Sequence, residues 1–238
     1  MSPSPQERKY VVIGKGKTGS AVLQTLGSSR LAGVFSRTSP IQDSDLATLK
    51  NASAAIVFVP AEGLRAVLPA LLEAKIPTVC GTTGLVWDSG LREELLEKNI
   101  PWIVGSNFSP GMNLFFLIAK LIDQNRAFLG SPDLKIRELH HTQKKDSPSG
   151  TALKLNQFLG GGNVIQSERV GDHPGLHELK VHCPHESLTI VHEAQDRRLF
   201  AQGAVYAAEK LLPNLAPGLH EFETLLQQSL IHQLKEAP

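Results

Sequence analysis

The stretch KYVVIGKGKTGSAV, residues 9–22, decides how the first part of the chain folds, and it contains two overlapping glycine patterns. Its triplet Gly16-Lys17-Thr18 looks like the end of a P-loop, a phosphate-binding loop of nucleoside triphosphatases. A P-loop needs its first glycine five residues before the Gly-Lys pair, and Val11 stands at that position. The spacing therefore excludes a P-loop.

The glycines Gly14, Gly16 and Gly19 instead fit G-x-G-x-x-G, the pattern of a dinucleotide-binding turn. The turn follows an apolar run that predicts a strand over 10–13, and the residues after it predict a helix over about 20–26. This order lets a pyrophosphate bind at the helix N-terminus. The stretch therefore predicts a dinucleotide cofactor.

The rest of the first hundred residues alternates short apolar runs with amphipathic stretches. Such alternation predicts a doubly wound parallel sheet, with helices over about 62–74 and 87–98. In a parallel sheet the carboxyl ends of the strands share one edge, where ligands bind. The loops expected at that edge are Gly14–Gly19, Ser36-Arg37, Val59-Pro60, Gly81–Gly84 and Ser106-Asn107.

The charge balance and the cysteine content exclude several classes of protein. The 238 residues include 24 Lys and Arg against 23 Asp and Glu, a formal net charge of +1, so we expect no nucleic-acid partner. The two cysteines have no metal-ligand spacing and indicate a reducing compartment. The N-terminus is polar, and no apolar run is long enough to span a bilayer. We therefore expect a cytoplasmic protein with no membrane contact.

From about residue 110 the pattern changes to a second, α+β arrangement. A long apolar helix, GMNLFFLIAKLIDQN, is followed by the strand LKIRELHHT, a polar loop and a helix from Thr151. Three later stretches, HELKVHC, SLTIVHEAQ and RLFAQG, alternate as strands do and predict a mixed sheet. One helix layer leaves a face of such a sheet exposed, which is a natural surface for oligomerisation.

These patterns predict an α/β protein with two domains, a Rossmann-like doubly wound parallel sheet and a second α+β domain whose mixed sheet serves oligomerisation. The dinucleotide-binding domain covers residues 1–109, and the substrate-binding and oligomerisation domain covers residues 110–206. A C-terminal helix, over about 218–234 within the segment 207–238, packs back on the first domain.

The end of the second predicted strand, VFSR, bears on the choice between NADH and NADPH. Proteins that prefer NADH usually have an acid there, about twenty residues past the first glycine, to bind the ribose hydroxyls. Here Ser36 cannot repel a 2′-phosphate, and Arg37 can bind one through a charge-assisted contact. Lys15 and Lys17 add positive charge beside the pyrophosphate. We predict NADPH and leave NADH open; the alternative is that Lys15 and Arg37 are solvated surface charges.

A second glycine loop, Gly81-Thr82-Thr83-Gly84, supports the cofactor prediction. Its glycines let the backbone approach a flat ring, and its threonines can hydrogen-bond a carboxamide. A tight turn with no ligand is the alternative interpretation of such a tetrapeptide.

The segment ELHHTQKKDSPSGTA, residues 138–152, combines the groups that bind and protonate a small dicarboxylate. Two adjacent histidines end a predicted strand, two lysines follow, and Ser149-Gly150-Thr151 begins a helix. Lysine supplies a positive charge, the amides of the helix start bind a carboxylate, and a histidine with a pKa of about 6.5 can deliver a proton at neutral pH. Each histidine alone is more often structural, but the combination predicts a catalytic site.

This segment resembles the signature E-x-H-H-x-x-K-x-D-A-P-S-G-T-A of the dihydrodipicolinate (4-hydroxy-tetrahydrodipicolinate) reductase family. Ser147 stands in place of the usual alanine, and the matching positions are Glu138, His140, His141, Lys144, Asp146, Pro148, Ser149, Gly150, Thr151 and Ala152. The resemblance extends over most of the chain, through GTTG, NFSPGMN, RVGDHPGLHELKVH, IVHEAQDRRLFAQGAVYAA and PGLHEFETLL.

The resemblance implies an NADPH-dependent reductase of the diaminopimelate route to lysine, with a second domain whose sheet builds a homotetramer. By position, His140 would be the general acid, and Lys144 would assist it and bind the substrate. The other substrate ligands would be His141, Ser149, Gly150 and Thr151. The cofactor contacts would be Gly14, Gly16, Lys17, Thr18, Gly19, Ser36, Arg37, Gly81, Thr82, Thr83, Asn107 and Phe108. The reaction would be loss of water from a 4-hydroxy ring, hydride transfer to C4 and protonation of the enamine carbon by His140.

Several positions outside the segment 138–152 depart from the family pattern. Many members read G-x-x-G-R-M-G in the first turn, where this chain is one residue shorter and has Lys17-Thr18. Ser36 replaces an acid that is common after the second strand, and Tyr206 stands where an arginine is frequent.

Three alternatives compete with this interpretation. His182, Cys183 and His185 are residue types that bind zinc, but strand neighbours point to opposite faces and Pro184 interrupts the strand, so we expect no metal site. A different two-domain NADP-dependent reductase, of the aspartate or homoserine dehydrogenase kind, shares the glycine turn but does not predict the His-His-x-x-Lys set. A non-catalytic NADP(H) sensor has no use for a proton donor at the pocket.

Overall fold

The structure is a computed structural model, and it describes residues 7–236. The chain divides into two compact units. The first comprises the chain up to Ser109 together with the segment from Arg198 onward, and the second comprises Pro110–Arg197. The predicted second domain extended to residue 206, whereas in the structure the segment from Arg198 packs within the first unit.

The first unit is built on a six-stranded parallel sheet. Its strands are β1 (Tyr10–Ile13), β2 (Leu31–Phe35), β3 (Ala54–Val57), β4 (Thr78–Cys80), β5 (Pro101–Val104) and β10 (Gly218–Glu221). They lie in the order β10-β5-β4-β3-β1-β2. Because β1 pairs with both β2 and β3, the strand order reverses beside β1, where the glycine turn lies.

Helices cover both faces of this sheet. They are α1 (Lys17–Leu26), α2 (Leu46–Asn51), α3 (Ala61–Glu73), α4 (Ser89–Glu97), α7 (Arg198–Tyr206) and α8 (Phe222–Glu236). Short 3₁₀ turns span Ser28–Arg30, Asp43–Asp45 and Leu212–Asn214, and a π-helical turn spans Ala207–Leu211. The side chains of α1, α7 and α8 form one apolar core, and those of α2, α3 and α4 form the other.

Strand β1 shows why its sequence is apolar throughout. Tyr10 and Val12 lie in the core with α1 and α7, whereas Val11 and Ile13 lie in the core with α3. All four side chains are buried, because a strand with helices on both faces has no side that meets water.

The second unit contains a four-stranded mixed sheet. Its elements are α5 (Pro110–Gln124), β6 (Asp133–His140), α6 (Gly150–Phe158), β7 (Val164–Arg169), β8 (Leu176–His182) and β9 (Ser187–Glu193). The strand order is β7-β6-β8-β9, in which β6 and β7 are parallel and the other pairs are antiparallel. Apolar side chains of α5 and α6 pack on one face of the sheet. The opposite face carries ion pairs, such as Arg137 with Glu168 and Lys180 with Glu178.

The predicted fold class is confirmed, but several elements differ from their predictions. RLFAQG is part of α7, so the prediction of a strand there is wrong. The next residues explain the helix, since Ala201, Ala204 and Val205 fall at helical spacing and are all buried. The predicted C-terminal helix from Gly218 is strand β10 followed by α8. Helix α1 begins at Lys17, earlier than predicted, and β7 was not predicted.

Within residues 7–236, every helix is too short or too polar to cross a lipid bilayer.

Candidate active site

The glycine turn after β1 is shaped by close backbone contacts. Gly14 has a φ of +112°, and a Cβ there would lie 2.1 Å from the Phe58 carbonyl oxygen. A Cβ on Gly19 would lie 1.9 Å from the Gly14 carbonyl oxygen. Gly16 differs, because a Cβ there would meet no atom within 4 Å. Gly14 and Gly19 therefore allow the backbone to pack, and Gly16 leaves space at the start of α1.

The end of β2 forms a tight turn at the same edge of the sheet. The Ser36 N–H donates to the Ser39 carbonyl, and the Ser36 and Thr38 hydroxyls lie 3.1 Å apart. Arg37 is exposed at this turn, as Lys15 and Lys17 are in the glycine turn. The cationic side chains predicted to bind phosphate groups thus all reach solvent at the carboxyl edge of the parallel sheet.

The loops after β4 and β5 complete this edge. A Cβ on Gly81 would lie 2.1 Å from the Phe58 ring, and the buried Thr82 hydroxyl donates to the Val59 carbonyl over 2.9 Å. Thr83 is exposed. The predicted cofactor contact Phe108 has its side chain in the core, 4.6 Å between ring centroids from Phe222.

Asn107 lies beside Phe108, and its Oδ1 accepts the Ser109 N–H. The predicted cofactor residues of the first unit therefore lie in the glycine turn, at the start of α1 and in the loops that follow β2, β4 and β5. Thr82 and Phe108, however, already have structural contacts in the protein.

The segment 138–152 joins the end of β6 to the start of α6 in the second unit. His140 is the last residue of β6 and is 8% exposed. Glu138 and His177 project from the same buried face, because Glu138 precedes His140 by two residues on β6 and pairs with His177 on β8. The segment therefore places a histidine next to a buried carboxylate and a second histidine.

The buried Glu138 carboxylate is held through one oxygen. Its Oε1 accepts the Ser149 N–H at 3.0 Å and the Arg169 guanidinium at 3.2 Å. Burial raises the pKa of Glu138, but hydrogen bonding from Ser149, the nearby Ser167 hydroxyl and the charge of His140 together hold it below its usual value. Glu138 is therefore ionised at neutral pH.

His140 lies against both of its neighbours. Its Nδ1 is 3.4 Å from Glu138 Oε2, and its ring is edge-on to that of His177 at 5.1 Å between centroids. Burial lowers the pKa of His140, Glu138 opposes that effect, and Lys144 adds to it. In the free protein His140 is therefore less protonated at neutral pH than an exposed histidine.

His177 is the more deeply buried histidine. Burial, with the charge of His140, lowers the pKa of His177 to about 3, so its ring is neutral at physiological pH. Its Nε2 lies 3.3 Å from the Ser149 hydroxyl, which also accepts the Ala152 N–H and so caps α6. The neutral ring is thereby suited to accept the Ser149 hydroxyl hydrogen.

The loop that carries Lys144 is fixed from two sides. Lys144 Nζ lies 2.9 Å from the Asp146 carboxylate, and this pairing lowers the pKa of Asp146. Arg169, at the end of β7, donates to the Lys144 carbonyl at 3.4 Å and to the Asp146 carbonyl. One guanidinium thus connects the loop backbone to the Glu138 carboxylate.

The predicted substrate residues are gathered at the same end of the sheet, but they are not equally available to a ligand. Ser149 is buried, its N–H donates to Glu138, and its hydroxyl caps α6. His141 and Thr151 are half-buried, and Gly150 is exposed. The structure therefore favours a supporting role for Ser149. At the next position, hydrogen bonding from the Gly150 N–H helps to lower the pKa of Asp146.

Residue types alone missed Arg169 and Gly175 as parts of this site. Arg169 pairs with His140 in the register of β7 and β6, so a correct prediction of β7 would have placed it there. Glu138 was seen only as a signature position, although its spacing of two from His140 signals a shared face.

Glu138, His140 and His177 offer atoms within 4.8 Å of one another, a spacing that a metal ion could also use. The charge of the carboxylate is already balanced by the Arg169 guanidinium, and Lys144 adds a further cation nearby. These cations disfavour a metal ion electrostatically.

A family model and individual relatives of this chain carry the same family name. A family model described as dihydrodipicolinate reductase, C-terminus, matches residues 111–226. A 4-hydroxy-tetrahydrodipicolinate reductase from Gluconobacter oxydans is 32% identical over 222 residues, covering 82% of this chain and 88% of the relative. A protein of the same name from Alkaliphilus oremlandii is 35% identical over 191 residues, covering 71% of this chain and 78% of the relative.

Solved structures support the fold. A dipicolinate-bound dihydrodipicolinate reductase from Paenisporosarcina sp. TG-14 aligns with a TM-score of 0.74 at 20% identity, covering 91% of this chain and 99% of that one. An amine dehydrogenase from Mycobacterium smegmatis aligns with a TM-score of 0.61 at 10% identity, covering 91% and 95%. At these identities the likeness concerns the fold alone.

Proposed function

Because the chain belongs to the dihydrodipicolinate reductase family, we propose that it reduces 4-hydroxy-tetrahydrodipicolinate to tetrahydrodipicolinate in the diaminopimelate route to lysine, with NADPH as the reductant. The observation that carries the proposal is the placement of His140, Lys144 and the start of α6 around one end of the mixed sheet. A proton donor, a cation and the backbone amides of a helix start are the groups that a small dicarboxylate requires. In this proposal the second unit binds the substrate and the first unit binds the cofactor.

Substrate binding would use the half-buried and exposed groups of the loop and helix start. Lys144 supplies a positive charge. The N-terminus of α6, at Gly150 and Thr151, is the positive end of the helix dipole and favours a bound carboxylate. His141 adds a ring nitrogen beside them. Ser149 supports this arrangement indirectly, since its hydroxyl caps α6 and thereby fixes these amides.

His140 would deliver the proton. In the proposed reaction the substrate loses water to form a conjugated imine, accepts a hydride at C4 and accepts a proton at the resulting enamine carbon. Although burial lowers the pKa of free His140, the negative charge of a dicarboxylate bound beside it raises that pKa. Binding of the substrate therefore favours the protonated ring that the last step needs.

The residues at the parallel-sheet edge fit a dinucleotide. The open space at Gly16 and the N-terminus of α1 suit a pyrophosphate, and Gly81 brings backbone close to the same edge. The further contacts proposed are Gly14, Lys17, Thr18, Gly19, Ser36, Thr82, Thr83, Asn107 and Phe108. When bound, the reduced nicotinamide supplies the hydride. Arg37, exposed at the end of β2, supports NADPH as the preferred form.

We also propose that the protein is a homotetramer. Helices α5 and α6 pack on one face of the mixed sheet, while Val191 on the other face is 50% exposed. An exposed sheet face with an apolar side chain among ion pairs supports association of copies. Light scattering from the purified protein tests this, and a monomer would contradict it.

One assay tests the proposed activity. Purified protein is mixed with NADPH and freshly generated condensation product of aspartate semialdehyde and pyruvate, and the absorbance of the reduced nicotinamide is followed. Loss of that absorbance only when both components are present supports the proposal. Binding of NADPH without oxidation would favour a sensor, and oxidation with other substrates only would favour another two-domain reductase.

A further inference from the structure

The proposed acid His140 has a buried carboxylate beneath it that the proposed reaction does not use. Glu138 has a side chain that is 0% exposed, and its Oε2 lies 3.4 Å from His140 Nδ1. We propose that Glu138 is a positioning residue that orients the His140 ring through Nδ1 and favours its protonated form, so that Nε2 carries the proton to the substrate. This inference rests on the proposed function of His140.

One oxygen of the carboxylate, Oε2, faces both histidines, at 3.4 Å from His140 Nδ1 and 3.8 Å from His177 Nε2. Oε1 of Glu138 accepts from the Ser149 N–H and from Arg169, at 3.0 and 3.2 Å. Among residues 7–236, neither Glu138 Oε2 nor His140 Nδ1 makes a hydrogen bond of normal length and angle with any other group. Their separation slightly exceeds the usual N–H···O range of up to about 3.2 Å, and hydrogen bonds of this kind shorten when a ligand binds.

The other ring nitrogen lies beside Gly175, which has no side chain. A Cβ on Gly175 would lie 3.1 Å from His140 Nε2, so the absence of a side chain there keeps this edge of the ring open. A carboxylate at Nδ1 selects the neutral tautomer with its hydrogen on Nδ1 and leaves Nε2 as the basic atom. Glu138 and Gly175 therefore act on opposite edges of one imidazole.

Charged and titratable groups reach His140 from each element packed against it. They are Glu138 of β6, Arg169 of β7, His177 of β8, and Lys144 and Asp146 of the loop. Burial, Lys144 and Arg169 lower the pKa of His140, whereas Glu138 and Asp146 raise it. Of the two carboxylates, only that of Glu138 is fully buried, so its interaction with the ring is least screened by water.

The test follows the His140 ring by nuclear magnetic resonance in the full chain with isotope-labelled histidine. Wild type, Glu138→Gln and Glu94→Gln are titrated with acid. Glu94 is the control, because its carboxylate also pairs with a cation, Lys98 at 3.7 Å, but lies exposed on α4 in the first unit. We expect a lower pKa of His140 in Glu138→Gln and no change in Glu94→Gln. An unchanged pKa in folded Glu138→Gln, or an equal shift in the control, overturns the proposal.

Two further measurements keep the proposal testable if Glu138→Gln does not fold. In the wild type, hydrogen on Nδ1 of neutral His140 supports the proposal, and hydrogen on Nε2 overturns it. Glu138→Asp, which keeps the charge, should restore part of the pKa difference. None of these readouts needs turnover, so a protein that passes them but does not reduce the substrate contradicts the proposed function alone.

If both hold, kcat/KM for Glu138→Gln should fall roughly 10- to 100-fold, as for the loss of a group that orients a functional histidine. Its decline with rising pH should begin at lower pH than in the wild type, because the proton leaves His140 earlier. A decline at the same pH as the wild type would contradict the role of Glu138.

Discussion

His140 and Arg169 end two adjacent parallel strands and stand opposite one another in the register of β6 and β7. From that position the Arg169 guanidinium donates to the carboxylate of Glu138, two residues before His140 on β6. It also donates to the carbonyls of Lys144 and Asp146, in the loop that follows β6. A single side chain therefore fixes the buried carboxylate and the loop that carries the proposed substrate-binding lysine.

Replacement of this arginine should cost stability as well as activity. Arg169→Ala removes the charged partner of the fully buried Glu138, so we expect the free energy of unfolding to fall by about 3 kcal/mol or more. Lys98→Ala, which breaks the exposed pair with Glu94 on α4, should cost much less, because solvent screens that pair. Urea unfolding of the two variants measures the difference, and equal losses would argue against the arrangement described.

The proposed acid and lysine should each be needed for turnover. His140→Gln and Lys144→Ala should lower kcat about 100-fold or more, as expected for loss of a general acid or of its charged neighbour. Lys145→Ala is the matched control, because Lys145 is the adjacent lysine and is exposed. Steady-state kinetics decide, and near-normal turnover in either site variant would remove that residue from the mechanism.

A side chain at Gly175 should press on the His140 ring. Gly175→Ala should lower kcat/KM more than tenfold, since its Cβ would lie 3.1 Å from His140 Nε2. Gly171→Ala serves as the control, because Gly171 also has a positive φ, +48°, yet a Cβ there meets nothing within 4 Å. Both changes strain the backbone by about 1 kcal/mol or more. If the two variants lose activity equally, backbone strain alone accounts for the effect.

Cofactor preference should depend on the exposed arginine after β2. Arg37→Ala should reduce kcat/KM with NADPH about 10- to 100-fold and leave kcat/KM with NADH nearly unchanged, because a charge-assisted contact with the 2′-phosphate is lost. Arg65→Ala, on the exposed face of α3, should change neither value. Equal use of NADH and NADPH by the wild type would contradict the role given to Arg37.

Acid should destabilise the protein partly through His177. Its pKa falls from 6.5 to about 3 on folding, so the unfolded chain binds more protons between these values. The stabilising effect is complete above pH 6.5 and is lost as the pH falls toward 3, at no more than about 1.4 kcal/mol per pH unit. His177→Gln should make the free energy of unfolding less dependent on pH in this range. An unchanged slope would show that His177 is protonated in the folded protein.

The N-terminal part of the first unit could be predicted well because its features are local in sequence. The strand over 10–13, the glycine turn and the alternation of strands with helices were all confirmed. The prediction of a strand at RLFAQG failed because six residues are too few to distinguish the two-residue period of a strand from the 3.6-residue period of a helix. Only with Ala204 and Val205 does the buried stripe of α7 emerge.

The segment 138–152 was proposed as a site from its residue types, but its contacts with β7 and β8 could not be predicted. The VIQSER stretch that forms β7 is polar and partly exposed, so it lacks the apolar alternation that signals a strand. The contact of Arg169 with Glu138 therefore had no local signal in the sequence, although Arg169 begins the family-like stretch RVGDHPGLHELKVH. The burial that lowers the pKa of His140 arises from β8 and the loop together, which no local pattern reveals.

The glycine turn has an evolutionary consequence. Side chains at Gly14 and Gly19 would collide with backbone oxygens of the protein itself, whereas one at Gly16 would not. Selection for folding alone would keep the first two glycines in a descendant that had lost its cofactor. Gly16 has an ordinary φ of −69°, so it is the glycine of this turn that would be substituted first. Among relatives of this chain, a side chain at position 16 would therefore indicate that dinucleotide binding has been lost.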